Sequence, residues 1–203
     1  MKENIIDNAI EHLRKDPYLY KLILNQERPH FKKPETPFYA LSKTIIFQQL
    51  SGKSADSIHK RFLSLCNDNP SEKFIIKIDD SDLKSIGLSH QKIKYLKALS
   101  SFFLENDSID FNDLSDKEIS EKLIQIKGIG QWTIDMFLMF TLLRTNILPI
   151  GDLAIKKGFK ILYELDELPT PEFMLNRSKK WNPYKTIASI YIWGLIDNED
   201  DNW

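Results

Sequence analysis

Two glycines separated by one residue connect two apolar helical patterns in the middle of the chain. The stretch IKGIGQWTIDMF, residues 126–137, holds Gly128 and Gly130 in this short connection. Gly128 can adopt the positive φ that a sharp turn needs. Gly130 leaves the N–H groups at the start of the next helix uncovered, and such groups bind phosphate well. The stretch predicts a helical hairpin, either as a phosphate site with Lys127 adding charge or as a plain glycine-capped turn.

The rest of the chain also has helical periodicity, so we predict an all-α fold. Two long apolar stretches, 132–143 and 184–196, predict buried helices, the second begun by Pro183. The segment FIIKI at 74–78 is a weak strand candidate, and the proline-punctuated segment 28–37 predicts a loop. We expect nine to eleven helices in two lobes, with both termini in one lobe. Apolar residues recur at helical spacing in two further stretches: Ala55, Ile58, Phe62 and Leu65, and Ile93, Leu96, Leu99 and Phe103.

Charge and cysteine content exclude several classes of protein. The 28 Lys and Arg residues nearly balance 29 Asp and Glu residues, which argues mildly against nucleic-acid binding. Basic residues nevertheless cluster at 92–97 and 156–157, either as part of a basic face or as scattered solvated side chains. The single cysteine, Cys66, excludes a disulfide framework, a four-cysteine metal site and a cysteine-ligated iron–sulfur cluster within one chain.

The sequence shows neither a secretory signal nor a membrane span. Residues 1–16 mix charges with apolar residues and lack the apolar core of a signal peptide. No stretch approaches the ~20 apolar residues that a spanning helix needs. We expect a cytoplasmic protein, associated with the nucleoid if bacterial and nuclear if eukaryotic.

Several stretches together resemble the helix–hairpin–helix DNA glycosylase superfamily, and within it 3-methyladenine DNA glycosylase II. The pattern Leu123-x-x-Ile126-x-Gly128-Ile129-Gly130-x-x-Thr133 is similar to its hairpin. The segment LPIGDLAIKKGF, residues 148–159, follows with Asp152 just before a new helix, as in that family. Three further stretches resemble its first catalytic-domain helix with the following turn, its G-x-S-x-x-K-x-x-Y-L segment and its last helix: 44–58, 86–100 and 181–193.

The resemblance implies a two-lobed helical glycosylase fold in its compact form, without the extra β-domain of some relatives. It implies a single catalytic domain over 1–203, with the family-like core at about 35–195 and the helix–hairpin–helix at 117–144. Lys127 stands where most members carry proline. Trp132 stands where bifunctional members carry a nucleophilic lysine, so we expect no lyase step by that route.

Asp152 is the catalytic residue that the resemblance implies. Breaking an N-glycosidic bond builds positive charge on the sugar, which a carboxylate stabilises while it orients or deprotonates water. Asp152 also fits the N-cap of an apolar helix, and both roles can coexist. Trp132 and Trp193 match aromatic positions of the family's base pocket. Their indole faces would attract a positively charged alkylated purine, although core filling is the commoner fate of such tryptophans.

DNA contacts are also implied by the resemblance. The turn Gln49-Leu50-Ser51 is the candidate wedge that fills the gap left by a flipped nucleotide, although it also fits an ordinary helix connection. The backbone carbonyls of Ile124, Ile126 and Ile129 match positions that hold a structural monovalent cation, Na⁺ or K⁺, in relatives. The residues expected to grip DNA at the hairpin are Lys127, Gly128, Gly130 and Thr133.

The sequence therefore predicts a monofunctional DNA glycosylase of base excision repair that acts on alkylated purines of the 3-methyladenine and 7-methylguanine type. We expect a monomer that acts on double-stranded DNA, needs no cofactor and holds no iron–sulfur cluster. Three alternatives stay open. They are a glycosylase for another damaged or deaminated base, a non-catalytic helix–hairpin–helix DNA-binding module, and a helical scaffold with no DNA role.

Overall fold

A computed structural model describes residues 1–50 and 52–200, and for residues 197–200 only the backbone. All regular elements in these ranges are helical, which confirms the predicted fold class. No helix in the described part of the chain is both long and apolar enough to cross a bilayer. The α-helices are α1 (Glu3–Leu13), α2 (Pro17–Asn25), α3 (Pro37–Phe47), α4 (Gly52–Leu65), α5 (Glu72–Ile75), α6 (Asp80–Ser85), α7 (His90–Glu105), α8 (Asp116–Leu123), α9 (Gln131–Met136), α10 (Leu153–Leu162), α11 (Pro171–Ser178) and α12 (Lys185–Asp200). A π-helical turn, Phe137–Thr141, follows α9, and a 3₁₀ turn, Lys179–Trp181, follows α11.

The chain divides into two compact units. The terminal unit contains residues 1–33 and 138–203, and the central unit contains residues 34–137. Both ends of the chain thus contribute to the terminal unit, as the sequence predicted. The extents of a single catalytic domain and of its family-like core stay predictions.

The central unit is built around α7. This helix packs against α3 and α5, and its apolar stripe of Ile93, Leu96 and Leu99 is almost completely buried. Phe62 of α4 and Ile119 of α8 are fully buried as well. The helical spacing of apolar residues in the sequence therefore marks the core-facing sides of these helices.

The terminal unit is built around α10 and α12. These helices approach closely at Gly158, where a Cβ atom would lie 2.4 Å from Ile192 Cγ2 and 2.8 Å from its carbonyl oxygen. The segment 1–33 joins them through α1 and α2, which both contact α12. Asp16, in this segment, accepts a 2.6 Å hydrogen bond from Nε1 of Trp181, which is fully buried. This bond links the N-terminal segment to the C-terminal part of the same unit.

Several predicted elements differ from the structure. The strand candidate at 74–78 is wrong, because its first residues form α5, whose N-cap Ser71 accepts a hydrogen bond from the Phe74 N–H at 3.3 Å. The predicted helix over 132–143 changes to a π turn and ends at Thr141, and Leu143 has φ 54°. The described residues form twelve α-helices rather than nine to eleven, because α5 and α6 are too short to show a period in the sequence. The predicted loop at 28–37 is confirmed apart from its last residue, Pro37, which begins α3.

Candidate functional site

The hairpin of the central unit joins the end of α8 at Leu123 to the start of α9 at Gln131. Gly130 is the N-cap of α9, with φ −107°, and no side chain caps the helix there. A Cβ atom on Gly130 would meet nothing within 4 Å, so the backbone at the start of α9 is uncovered on this side. Lys127 is exposed in the same turn. This arrangement can bind an anion through backbone N–H groups and one positive charge.

Gly128 is required by two independent features of the hairpin. Its φ of 95° lies in the region that residues with a side chain rarely adopt. A Cβ atom at this position would also lie 2.2 Å from Cγ of Tyr95 in α7. The ring of Tyr95 therefore covers the apex of the hairpin, and only glycine fits beneath it.

Thr133 faces the interior rather than solvent. Its side chain is buried, and its Oγ1 lies 3.4 Å from Nε2 of Gln48, which also donates to the Gly128 carbonyl at 3.0 Å. The predicted contact of Thr133 with DNA would therefore involve its backbone, because the hydroxyl group points inward. Gln48 was not identified from the sequence, since nothing local marks a contact across 80 positions.

The wedge candidates follow Gln48 directly. Gln49 is exposed and has φ 56°, an uncommon conformation for a residue with a side chain. Leu50 is 39% exposed although it is large and apolar. Ser51 lies outside the described residues. The turn thus presents one polar and one apolar side chain to solvent in the same unit as the hairpin.

Asp152 lies in the terminal unit at the N-cap of α10. Its Oδ1 accepts a hydrogen bond from the Ile155 N–H at 2.8 Å and another from Trp193 Nε1 at 3.1 Å. The first bond confirms the predicted capping geometry. The second bond, from α12, holds the carboxylate in one orientation beside an aromatic ring. Asp152 is half-buried, so its carboxylate stays partly accessible to solvent.

Trp193 also belongs to an aromatic cluster that the sequence did not reveal. Its ring stacks on Phe140 with centroids 6.0 Å apart, and Phe140 lies 6.4 Å from Phe31. Phe140 is 43% exposed, although it comes from the stretch predicted to be buried all round. Phe140 lies in the π turn, whose geometry differs from that of the α-helix assumed in the prediction. Such turns often occur at functional sites.

Trp132, Lys156 and Lys157 are all at least partly accessible to solvent. Trp132 is 42% exposed on the first turn of α9, in the central unit, and therefore does not fill the core. Lys156 is half-buried and Lys157 is exposed on α10. A phosphate contact by either lysine stays a prediction.

Asp135 is a buried carboxyl group that the sequence did not single out. It lies on α9, is 7% exposed and accepts a 2.8 Å hydrogen bond from Nε2 of Gln131. Burial raises the pKa of Asp135 to about 6, and the bond from Gln131 partly opposes this rise in pKa. The helix that follows the hairpin therefore contains a buried carboxyl group whose pKa is raised to about 6.

The carbonyl groups proposed to hold a cation lie in the hairpin turn. The Ile126 carbonyl accepts the Ile129 N–H at 3.0 Å, which leaves one of its two lone pairs for another partner. Carbonyl oxygens suit hard cations, so Ile124, Ile126 and Ile129 fit a monovalent ion chemically. No group of three or more His, Cys, Asp or Glu side chains in the described ranges is arranged to hold a metal.

Comparisons with known proteins agree with this architecture. The family model described as HhH-GPD superfamily base excision DNA repair protein matches residues 42–183. DNA-3-methyladenine glycosylase 1 of Schizosaccharomyces pombe is 33% identical over 180 residues, which cover 86% of this chain and 79% of that protein.

Two solved structures share the fold over nearly the whole chain. The Schizosaccharomyces pombe 3-methyladenine DNA glycosylase in complex with abasic DNA has a TM-score of 0.81 at 32% identity, covering 92% of this chain and 95% of that one. A DNA-3-methyladenine glycosidase of Bacillus halodurans has a TM-score of 0.84 at 30% identity, and the match covers 96% of this chain and 92% of that one. The resemblance predicted from the hairpin and its flanking helices is thereby confirmed.

Proposed function

Because this chain belongs to the HhH-GPD superfamily of base excision DNA repair proteins, we propose that it is a monofunctional DNA glycosylase for alkylated purines. It would act as a monomer on double-stranded DNA, flip out the damaged nucleotide and hydrolyse its N-glycosidic bond. The relatives named as 3-methyladenine glycosylases support this substrate class.

The hydrogen bond between Trp193 and Asp152 is the observation that carries the proposal. It presents an oriented carboxylate at the start of α10, next to aromatic rings. As the glycosidic bond breaks, positive charge develops on the sugar, and the carboxylate stabilises that charge. The same group orients a water molecule and accepts its proton as the water oxygen bonds to the sugar carbon. The bond from that carbon to the base nitrogen breaks, its electron pair goes to the positively charged base, and the base leaves as a neutral molecule.

Alkylated purines fit this chemistry for a second reason. A purine methylated at N3 or N7 carries a positive charge, which weakens its glycosidic bond and makes it a good leaving group. Indole and phenyl faces attract such a cation by up to ~2 kcal/mol when water is excluded. Trp132 and Trp193 are the proposed pocket residues, and the exposed ring of Phe140 adds to the second of them.

DNA would be held by the central unit. The uncovered start of α9 and Lys127 suit a backbone phosphate, and Gln49 or Leu50 would fill the gap left by the flipped nucleotide. A monovalent ion on the carbonyls of Ile124, Ile126 and Ile129 would supply further positive charge and stiffen the turn. No redox cofactor takes part in the proposed reaction.

The test is release of bases from methylated duplex DNA by wild type and Asp152→Asn. Asparagine keeps an acceptor for Ile155 and Trp193 and is an equally good N-cap, so the fold should persist. We expect turnover to fall by at least about a thousandfold with DNA affinity retained. Asp79→Asn provides the matched control, because it removes a negative charge at the N-cap of α6.

Each alternative gives a different result. Release of a deaminated base but not of methyladenine or methylguanine would indicate a glycosylase for another lesion. Salt-dependent DNA binding without release of any base would indicate a binding module, and DNA binding insensitive to salt would favour a scaffold. Equal turnover by wild type and Asp152→Asn would remove Asp152 from the mechanism.

A further inference from the structure

The side-chain amide of Gln48 connects both sides of the hairpin. Its Nε2 donates to the carbonyl of Gly128, at the apex, at 3.0 Å. The same nitrogen lies 3.4 Å from Oγ1 of Thr133, in the first turn of α9. A single amide group thus contacts the turn and the helix that the turn begins.

Gln48 also begins the wedge turn, which we define as residues 48–50. It is the C-cap of α3, and its own N–H donates to the Thr44 carbonyl at 3.1 Å. The next residue, Gln49, has φ 56°, and the following one, Leu50, is partly exposed. A residue with a side chain in this region of φ is strained, so the surroundings must hold the turn in place.

Helix α7 supports both segments from one side. Lys92 donates through Nζ to the Ile46 carbonyl at 2.6 Å, near the end of α3. One turn later, Tyr95 covers Gly128 so closely that no side chain fits there. The end of α3 and the hairpin are therefore fixed to the same helix, and Gln48 joins them directly.

We infer that Gln48 is a positioning residue that holds the wedge turn in register with the phosphate-binding hairpin. The inference rests on the proposed function, because it assumes that the hairpin grips DNA and that the wedge turn fills the gap. A wedge is effective only at a fixed distance from the gripped phosphates, and displacements of about 1 Å are enough to disrupt such geometry. Gln48 would not touch DNA itself.

The experiment compares binding to a duplex that contains a stable abasic-site analogue with binding to the same duplex without it. We would use Gln48→Met, which keeps the length of the side chain but has no donor, and Gln48→Glu, which keeps its shape but accepts only. Both are also made in a background that lacks the wedge side chains, Gln49→Ala with Leu50→Ala. Fluorescence of 2-aminopurine placed opposite the analogue reports insertion of the wedge.

We expect Gln48→Met to lower the preference for the abasic duplex about tenfold, which is on the order of the net contribution of one hydrogen bond. The 2-aminopurine signal should fall in parallel, while affinity for the undamaged duplex stays close to wild type and the melting temperature falls by only a few degrees. In the wedge-deficient background the same substitution should have no further effect. This dependence on the wedge separates positioning from general support of the fold.

Several results would overturn the inference. They are an unchanged preference, an equal loss in the wedge-deficient background, a parallel loss of affinity for undamaged DNA, or unfolding of both Gln48 variants. A wild-type protein that does not prefer the abasic duplex would also overturn it, because there would be no wedge to position. These measurements require no turnover, so a protein that passes them but releases no base would refute the glycosylase proposal alone.

Discussion

At the residue scale, one carboxylate oxygen of Asp152 serves two donors on different helices. The Ile155 N–H makes Asp152 a helix cap, and the Trp193 indole N–H makes it an oriented group beside aromatic rings. The bond from Ile155 joins residues three positions apart and is of a kind common at the start of helices. The bond from α12 fixes where the carboxylate points, as the proposed catalytic role of Asp152 requires.

Asp135 should make stability depend on pH. Its pKa is raised to about 6 by burial, whereas an unfolded aspartate titrates near ~3.9. The folded protein therefore holds this proton more tightly, so stability falls as pH rises from about 4 to about 6 and the loss is complete above that. Asp135→Asn should not show this loss and should be more stable than wild type at pH 7.5, by up to about 3 kcal/mol.

Urea unfolding between pH 4.5 and 7.5 measures this effect. Asp113→Asn is the control, because Asp113 is exposed and the substitution removes the same charge. Stability curves of wild type and Asp135→Asn that run parallel over this range would show that Asp135 does not titrate there.

At the element scale, the two glycines of the hairpin have different roles, one in the fold and one in the proposed binding of phosphate. Gly128 serves the fold, through its positive φ and the overlying ring of Tyr95. Gly130 has ordinary φ and open space around it, so the fold tolerates a side chain there. Substitutions at Gly130 can therefore probe DNA binding without disturbing the helices.

Gly130→Asp should weaken DNA binding more than Gly130→Asn does. Either side chain can cap the uncovered N–H groups of α9 in place of a phosphate, but only aspartate also adds a negative charge where a phosphate is expected. We expect affinity for duplex DNA to fall by about tenfold or more for aspartate, with a shallower dependence of affinity on salt. Wild-type affinity in both variants would show that no phosphate binds at this helix start.

Packing between α10 and α12 controls the distance between Asp152 and Trp193. Gly158→Ala would bring a methyl group against the backbone of Ile192, next to Trp193, and so push the helices apart. We expect a loss of about 1–3 kcal/mol in the free energy of unfolding and a lower kcat per folded molecule. Gly151→Ala is the control, because a Cβ atom there meets nothing within 4 Å. Unchanged kcat in Gly158→Ala would show that this packing does not position the carboxylate.

At the scale of the whole molecule, the terminal unit is assembled from both ends of the chain. Asp16 is 4% exposed, accepts the Trp181 indole N–H and forms a 2.9 Å ion pair with Lys180. The bond between Asp16 and Trp181 spans 165 positions of sequence. The unit that carries Asp152 therefore depends on residues near the N-terminus.

Asp16→Ala should destabilise the terminal unit by about 2–4 kcal/mol, because it leaves a buried indole N–H without its acceptor. Asp16→Asn keeps an oxygen acceptor and should lose less. Urea unfolding followed by tryptophan fluorescence measures the difference. Equal stability of Asp16→Ala and wild type would mean that water replaces the carboxylate at Trp181.

The sequence by itself determined the features that depend on neighbouring residues. Gly128 at positive φ, the start of α9 at Gln131 and the capping role of Asp152 all follow from local backbone requirements, and each is present in the structure. The weak strand candidate at 74–78 was wrong because five apolar-rich residues show no reliable period.

Only the tertiary structure decided which distant residues meet. The bonds of Gln48 to Gly128 and of Trp193 to Asp152 join positions 80 and 41 residues apart. The burial of Asp135 and the exposure of Phe140 likewise depend on which elements pack against the end of α9 and the π turn. Hydrogen bonds and burial of this kind are set by packing between helices, and a pattern of neighbouring residues carries no information about them.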